Sequence, residues 1–218
     1  LKPAHEPAVL ARKPLIGTVA QNVLEHGTGA LNIDASRVGA TKRVPGCKPR
    51  SVTDRIFGAY GAQDGTESGH NADIGRWPAN VCHDDSDEIT KVLGHAARFF
   101  YSPKASKAER EAGLESLDIA TSGEMTNRTE GTTGIQSPRA GAGRLSARRN
   151  VHPTVKPIAV MKWCLRMVTP PGGLVLDPFT GSGSTGCAAV LEGFHFIGID
   201  ISNRFSDIAR LRVAHHAG

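Results

Sequence analysis

Apolar positions are unevenly ordered along this chain. From residue 151 onward they recur with clear periods; before it they are sparse. In PIAVMKWCLRMV, Ile158, Met161, Leu165 and Val168 follow at helical steps, which predicts an amphipathic helix opening just after Pro157. TPPGG then breaks it. LVLDPF is a continuous apolar run that predicts a buried strand, and STGCAAVLEG predicts a helix of small residues ended at Gly193. FHFIGID predicts a second buried strand and NRFSDIARLRVAHH a last amphipathic helix. Helices and strands that alternate across short loops predict an α/β fold with parallel strands. A right-handed crossover sets the two strands side by side.

The chain before this zone divides in two. HEPAVLARKPL, residues 5–15, has a short apolar centre between prolines and predicts a strand at a sheet edge, so that residues 1–16 supply an edge strand of the same sheet. Residues 17–150 are polar and glycine-rich. HGTGALNIDASRV alternates loosely and fits a short helix or a strand. DEITKVLGHAARFFYSPK starts like a helix and turns strand-like at RFFYS. SKAEREAGLESL predicts a helix with Ser106 as cap and Glu109 three residues on, the spacing of a capping box. TSGEMTNRTEGTTGIQSPRAGAGRLSARRN has almost no apolar residues and reads as an extended or mobile loop.

Composition adds modest constraints. A chain of 218 residues holds one large domain or one and a half smaller ones, and its 25 glycines and 13 prolines favour much irregular structure. The formal charge of +5 and pI near 9.2 favour a polyanionic partner. Cys47, Cys82, Cys164 and Cys187 form no CxxC pair, which argues against a disulfide framework or a zinc ribbon. Cys164 and Cys187 fall in apolar helical patterns and read as buried, reduced core residues, and no metal is expected from Cys82-His83 with Cys47 and His70. No apolar run approaches the ~20 residues of a membrane span and no signal peptide opens the chain, so the expectation is a cytoplasmic protein without membrane contact.

The stretch GGLVLDPFTGSGSTG carries the candidate chemistry. Gly181, Gly183 and Gly186 satisfy GxGxxG, and Asp200 ends the next strand where a ribose-binding acid is expected, a dinucleotide-like arrangement. Against a dinucleotide, Asp177-Pro178-Phe179-Thr180 separates the strand from the first glycine, and the chain ends at Gly218, soon after Asp200, without a second nucleotide-binding half. Against a P-loop, Gly186 is followed by Cys187 and no lysine meets terminal phosphates. Glycines that serve tight packing alone form a third alternative. S-adenosylmethionine (SAM) is the fourth. It has no phosphate, its ribose suits an acid, and its sulfonium and amino cations suit a carboxylate such as Asp177.

NVHPTVKP, then LVLDPFTGSGSTGCAA, then FIGIDIS resembles the C-terminal half of bacterial and phage DNA amino-methyltransferases, in the group whose catalytic region precedes the cofactor loop. The resemblance covers residues 150–212 closely, and KPAHEPAVLARKP and FFYSPKASKAER also fit it. It implies a partial Rossmann-like methyltransferase sheet with an irregular inserted target-recognition region over 17–150 and a SAM-binding α/β subdomain over 151–218. His152, Thr154 and Lys156 would then belong to a segment folded over the methionine end of the cofactor. Asp177, Phe179, Gly181 and Gly183 would form the pocket floor, with Ser184 and Thr185 at the helix start and Asp200 on the ribose. Phe205 stands where the family often has tyrosine and receives no ligand role.

The family acts on the exocyclic amine of adenine (N6) or cytosine (N4) through an Asp/Asn/Ser-Pro-Pro-aromatic tetrapeptide. Its acceptors draw the amine's N–H bonds so that the nitrogen aims at the methyl group, and the aromatic ring stacks on the flipped base. No such tetrapeptide occurs here; the one Pro-Pro, Pro170-Pro171, lies between Thr169 and Gly172 in a turn. The expectation is a portion of such an enzyme with no catalytic residue of its own: a fragment, which Leu1 as first residue favours, one part of a split enzyme, or a degenerate cofactor-binding relative. Double-stranded DNA is the expected partner. Residues 131–157 contain no acid but hold Arg139, Arg144, Arg148 and Arg149, which fit phosphate contacts, a solvated basic loop being the alternative. A non-catalytic DNA-binding module on the same scaffold, and a nicotinamide-dependent oxidoreductase, remain the other readings.

Overall fold

The structure, a computed structural model, describes residues 7–37, 81–83, 86–94, 104–120 and 148–218. In chain order the described helices are α1 (Val19–His26), α2 (Asp87–Leu93), α3 (Lys107–Glu111), α4 (Ile158–Val168), α5 (Ser184–Leu191) and α6 (Asn203–Ala217), with strands β1 (Leu174–Asp177) and β2 (His195–Gly198). The two strands pair in parallel, Leu174 opposite His195 and Asp177 opposite Gly198, on either side of α5. The fold is therefore α/β with a small parallel sheet, and the alternation read from the sequence is present element by element.

Burial explains the arrangement. Ile158 and Leu165 of α4, Val175 of β1 and Cys187, Ala188 and Ala189 of α5 form one buried cluster, with Met161, Phe194, Phe196 and Val213 packed on it. The helix of small residues sits in the middle because small side chains let its neighbours approach. A Cβ at Gly186 would lie 2.5 Å from the Phe196 ring and 2.6 Å from Val213, so only glycine fits between β2 and α6. Leu174 and Leu176 of β1 and Ile197 of β2 are exposed, so the helices cover one face of this sheet. Val168, expected on the inner stripe of α4, is exposed at the helix end, and Cys164 is half-buried rather than a core residue. Burial pushes the Cys187 thiol up from its ordinary value.

The segment expected to be an edge strand is a correction. Residues 7–15 form no strand and join no sheet among the described residues. Val9 and Leu10 are exposed, and the segment is tied by Arg12 Nη1 donating to the Gly29 carbonyl. It leads into α1, which local periodicity did not predict although its cap is legible. Thr18 accepts from the Gln21 N–H at 3.2 Å, Gln21 Oε1 accepts from the Thr18 N–H at 2.8 Å, and Gly27 closes the helix with φ +67°. Asn22, buried, accepts from the Ile16 N–H and donates to the Thr28 carbonyl, fastening the chain on both sides of α1. Residues 31–36 then lie on the outer side of α4, where Trp163 Nε1 donates to the Ser36 carbonyl and the Asn32 N–H to that of Met167.

α2 confirms the helix-like start of its segment, whereas RFFYS lies outside the described residues. α3 is shorter than its sequence suggested, and its Glu109 is not used as a capping box. Ser106 accepts from the Glu109 N–H at 3.1 Å, but the Glu109 carboxylate accepts from the Ile158 N–H at 2.7 Å. Pro157 at the α4 N-cap offers no side-chain acceptor, so an acid from a distant segment satisfies that end and meets the positive pole of the helix. The long polar stretch 121–147 lies outside the described residues. No described helix is long and apolar enough to cross a membrane.

Candidate functional site

The carboxyl ends of β1 and β2 open onto one turn, the place where open parallel sheets bind ligands. Asp177 ends β1, and its Oδ1 accepts from the Phe179 N–H at 3.0 Å, which bends the chain out of the strand. Phe179 projects into solvent, 88% exposed. The Thr180 N–H returns to the Ile199 carbonyl, so the turn is anchored to the chain just past β2. Gly181 and Gly183 take φ +50° and +77°, and Gly183 is the N-cap of α5.

Asp200 closes the other side. Its Oδ2 accepts from the Gly181 N–H and its Oδ1 from the Ser202 N–H, each at 2.8 Å. An ionised carboxylate has roughly four lone-pair sites, so two further donors can still approach it. His152 lies against the same turn. A Cβ on Gly181 would fall 2.6 Å from its Nε2, and its ring meets Phe205 edge-on at 4.6 Å. Its Nδ1 is 2.6 Å from the Thr154 carbonyl, which fits Nδ1–H donating to that oxygen. Thus His152, Gly181 and Asp200 are brought together directly, with Asp177 at the foot of the turn.

Other expected site residues are placed differently. Ser184 turns inward, buried, 3.5 Å from the Ser182 hydroxyl and within reach of Arg212, while Thr185 is only partly covered on the next step of α5. Thr154 is exposed beside His152, and Lys156 is half-buried in the approach to α4. Of the basic residues, Arg139 and Arg144 lie outside the described residues, as do Cys47 and His70. Arg148 forms a single antiparallel bridge with Ala120, and Arg149 directs Nε inward to the Leu117 carbonyl at 3.1 Å. Each glycine of GxGxxG has protein against it: His152 on Gly181, the Ala209 backbone 2.8 Å from a Cβ at Gly183, and Phe196 on Gly186. The glycine pattern is therefore met by packing alone, and the discriminating features are the two carboxylates and the absence of a lysine in the turn.

The residues that shape this site but received no site role from the sequence are Arg212, Asn150, Glu109, Glu111 and Phe205. Arg212 is fully buried in α6, and this desolvation lowers its pKa from the ordinary value. Its Nη1 donates to the Ser182 carbonyl at 2.5 Å and to Ser184 Oγ at 3.4 Å, and its Nη2 to the Glu109 carbonyl at 3.2 Å. It holds the middle of the glycine turn from below. One signal was available: Ile208 and Arg212 are four residues apart, so a charge occupies an inner-face position of an amphipathic helix.

Comparison with known proteins bears on this geometry. A family model described as DNA methylase (N6_N4_Mtase) matches residues 3–211. The DNA adenine methyltransferase YhdJ of Escherichia coli K12 is 45% identical over 67 residues, 30% of this chain and 23% of that protein. The type II methyltransferase M.ScaI of Streptomyces caespitosus is 40% identical over 70 residues, 32% of this chain and 23% of that protein. The chain thus matches about a quarter of the length of these curated relatives. Among solved structures, the M1.HpyAVI–SAM complex is 40% identical, covering 28% of this chain and 30% of its own, with a TM-score of 0.27. The cytosine-N4-specific PvuII DNA methyltransferase is 20% identical, covering 64% of this chain and 37% of its own, with a TM-score of 0.32. Both TM-scores fall below the level at which a shared overall fold follows.

Proposed function

The chain belongs to the N6_N4_Mtase family of DNA methylases, and from that premise we propose that it is the SAM-binding and DNA-recognition part of a site-specific DNA methyltransferase. The reading includes a partial Rossmann-like sheet, a cofactor seat at residues 177–200 with His152 over it, and modification of an exocyclic amine, adenine N6 or cytosine N4. The observation that carries it is the pair of carboxylates, Asp177 and Asp200, flanking a lysine-free turn at the ends of two parallel strands.

The residues fit SAM better than a phosphate ligand. Asp200 keeps acceptor capacity for the two ribose hydroxyls while fixing Gly181, and Asp177 offers negative charge to the cationic end. Both acids would repel a pyrophosphate. SAM, when bound, supplies an electrophilic methyl group on its sulfonium. What this chain contributes is position: Asp200 and Arg212 fix the turn from two sides, and His152 and Phe205 narrow its mouth. The recognition role rests on the family and on the net charge of +5. With no Pro-Pro-aromatic tetrapeptide among its residues, the chain is proposed to bind the cofactor without transferring its methyl group.

Calorimetric titration with S-adenosylhomocysteine tests the seat, with saturable binding expected and its absence in a folded sample counting against the reading. Mass spectrometry of DNA incubated with chain and SAM tests the rest. No methylated base is expected, whereas N6-methyladenine or N4-methylcytosine would show that the chain carries its own catalytic group.

A further inference from the structure

His152 lies on the glycine turn, yet its own segment cannot hold it there. Residues 149–157 belong to no helix or strand. Their placement comes from α3. The Arg149 N–H donates to Glu111 Oε2 at 2.8 Å and the Asn150 N–H to Oε1 at 3.3 Å, so one carboxylate grips two successive amides. Asn150, fully buried, donates from Nδ2 to the Arg110 carbonyl at 2.7 Å and accepts at Oδ1 from the His152 N–H at 3.2 Å. The linkage therefore runs from the end of α3 through Asn150 to His152.

The same short helix also touches the far side of the turn. The Glu109 carbonyl and the Ser182 carbonyl both accept from the buried Arg212 guanidinium. Just beyond α3, a Cβ on Gly113 would lie 2.6 Å from His215 Cβ and 2.9 Å from the Leu211 carbonyl, so the chain leaves α3 tight against α6. Glu109 caps α4 in addition. A five-residue helix with no buried side chain of its own is thus fixed at four polar points around one turn.

We propose that Glu111, acting through Asn150, is a positioning residue that holds His152 over Gly181, making residues 104–120 a brace between the middle of the chain and the glycine turn. Its effect on cofactor affinity rests on the reading above; its effect on His152 does not. Glu111→Gln turns an amide NH2 toward one of two N–H donors, so at least one contact is lost and a donor–donor clash replaces it.

The full chain tests this in two arms. In the first, the His152 ring C–H resonances, assigned by difference with His152→Gln, report ring-current shifts from Phe205 in the absence of ligand. Glu111→Gln should move them toward random-coil positions while the exposed Glu115→Gln leaves them unchanged. In the second, S-adenosylhomocysteine titration should show a Kd about tenfold higher for Glu111→Gln and unaltered for Glu115→Gln. An unmoved His152 signal in a folded Glu111→Gln protein overturns the proposal. Where that variant does not fold, amide exchange in the unmodified chain decides. Arg149, Asn150 and His152 should exchange more slowly than Val151, and equally fast exchange at all four overturns the brace. A wild-type chain that ignores S-adenosylhomocysteine counts against the cofactor reading, and the ring signals still decide the brace.

Discussion

Residues 158–217 and the described stretches before them are held by different forces. The first region is a packed α/β layer whose centre is apolar or small: Ile158, Leu165, Val175, Cys187, Ala188 and Ala189. The second consists of short helices with few buried apolar residues, Leu114 and Ala120 among them, and most of its described anchors are polar contacts, several of them distant in sequence. Asn22 grips the chain around α1, Trp163 reaches Ser36, Glu111 reaches across 38 and 39 residues to Arg149 and Asn150, and Glu109 across 49 to Ile158. Apolar burial is non-directional and tolerates small shifts, whereas a buried hydrogen bond fails at once when its partner goes. The first region should respond to changes of volume and the second to changes of a single acceptor.

The largest effect expected is at Gly183. Alanine there would adopt φ +77° and press its Cβ to 2.8 Å from the Ala209 backbone, strain and overpacking together. Gly183→Ala should lose about 3–4 kcal/mol in denaturant unfolding. A loss below about 1 kcal/mol would mean that α6 does not bear on the turn as described. Next comes Asn150→Ala, which removes no apolar contact of the central cluster but leaves the Arg110 carbonyl and the His152 N–H without their partner. We expect about 2–3 kcal/mol, with the loss concentrated in the amide protection of residues 106–117 and 148–154. Equal loss of protection throughout α5 would show that the two regions are one cooperative unit.

This division also explains what was legible in the sequence. Periodicity placed α4, β1, α5, β2 and α6 because such patterns are local, although the two strands, predicted as buried, keep only Val175 buried and leave Leu174, Leu176 and Ile197 exposed. The turn with Asp177 and Asp200 at its two sides was legible from a different local signal, the glycine spacing between two strand ends, and the ligand roles of the two acids are proposals. The strand expected over residues 5–15 does not form over its described part, residues 7–15, because Val9 and Leu10 satisfy the pattern but find no sheet edge among the described residues. α1 was missed although Thr18 and Gln21 spell its cap, since its apolar residues form no long stripe. Spacing pairs Glu109 with Ser106, yet the Ile158 N–H behind Pro157 takes its carboxylate. Nothing local to residues 109–111 or 150 announces those contacts. Among the described buried polar residues, Arg212 stands out as one that periodicity flags.

A middle-sized effect probes the site rather than the scaffold. Asp200→Asn keeps one oxygen acceptor for the turn or for Ser202, but replaces the other with a donor and removes the charge. S-adenosylhomocysteine affinity should fall about tenfold, roughly 1.4 kcal/mol, with a smaller change in unfolding free energy. If stability falls steeply and affinity does not, Asp200 is a structural tie of the turn and the ribose assignment goes with it.

The smallest effect lies at the seam of α4 and α5, where the apolar layer carries its own polar clamp. Arg166 Nε and Nη2 donate to Glu192 Oε2 and Oε1 at 2.7 and 2.6 Å, and Lys162 Nζ stands 3.2 Å from Oε1. The hydrogen bonds from Arg166, and secondarily Lys162, hold the Glu192 carboxyl below its ordinary value. A folded pKa below the unfolded one means the unfolded chain binds a proton first as pH falls. The clamp's contribution is therefore complete above the ordinary glutamate range, near ~4.3, and disappears as pH drops through the lower folded value. Both basic partners are partly exposed, so solvent screening limits that contribution to about 1 kcal/mol at neutral pH. Glu192→Gln should lose about that much at pH 7, and the gap from wild type should close toward pH 3. Thermal melts of the two proteins across that range, in low salt, measure it. A gap that stays constant with pH would assign Glu192 a packing role at the end of α5 and leave the seam wholly apolar in its energetics.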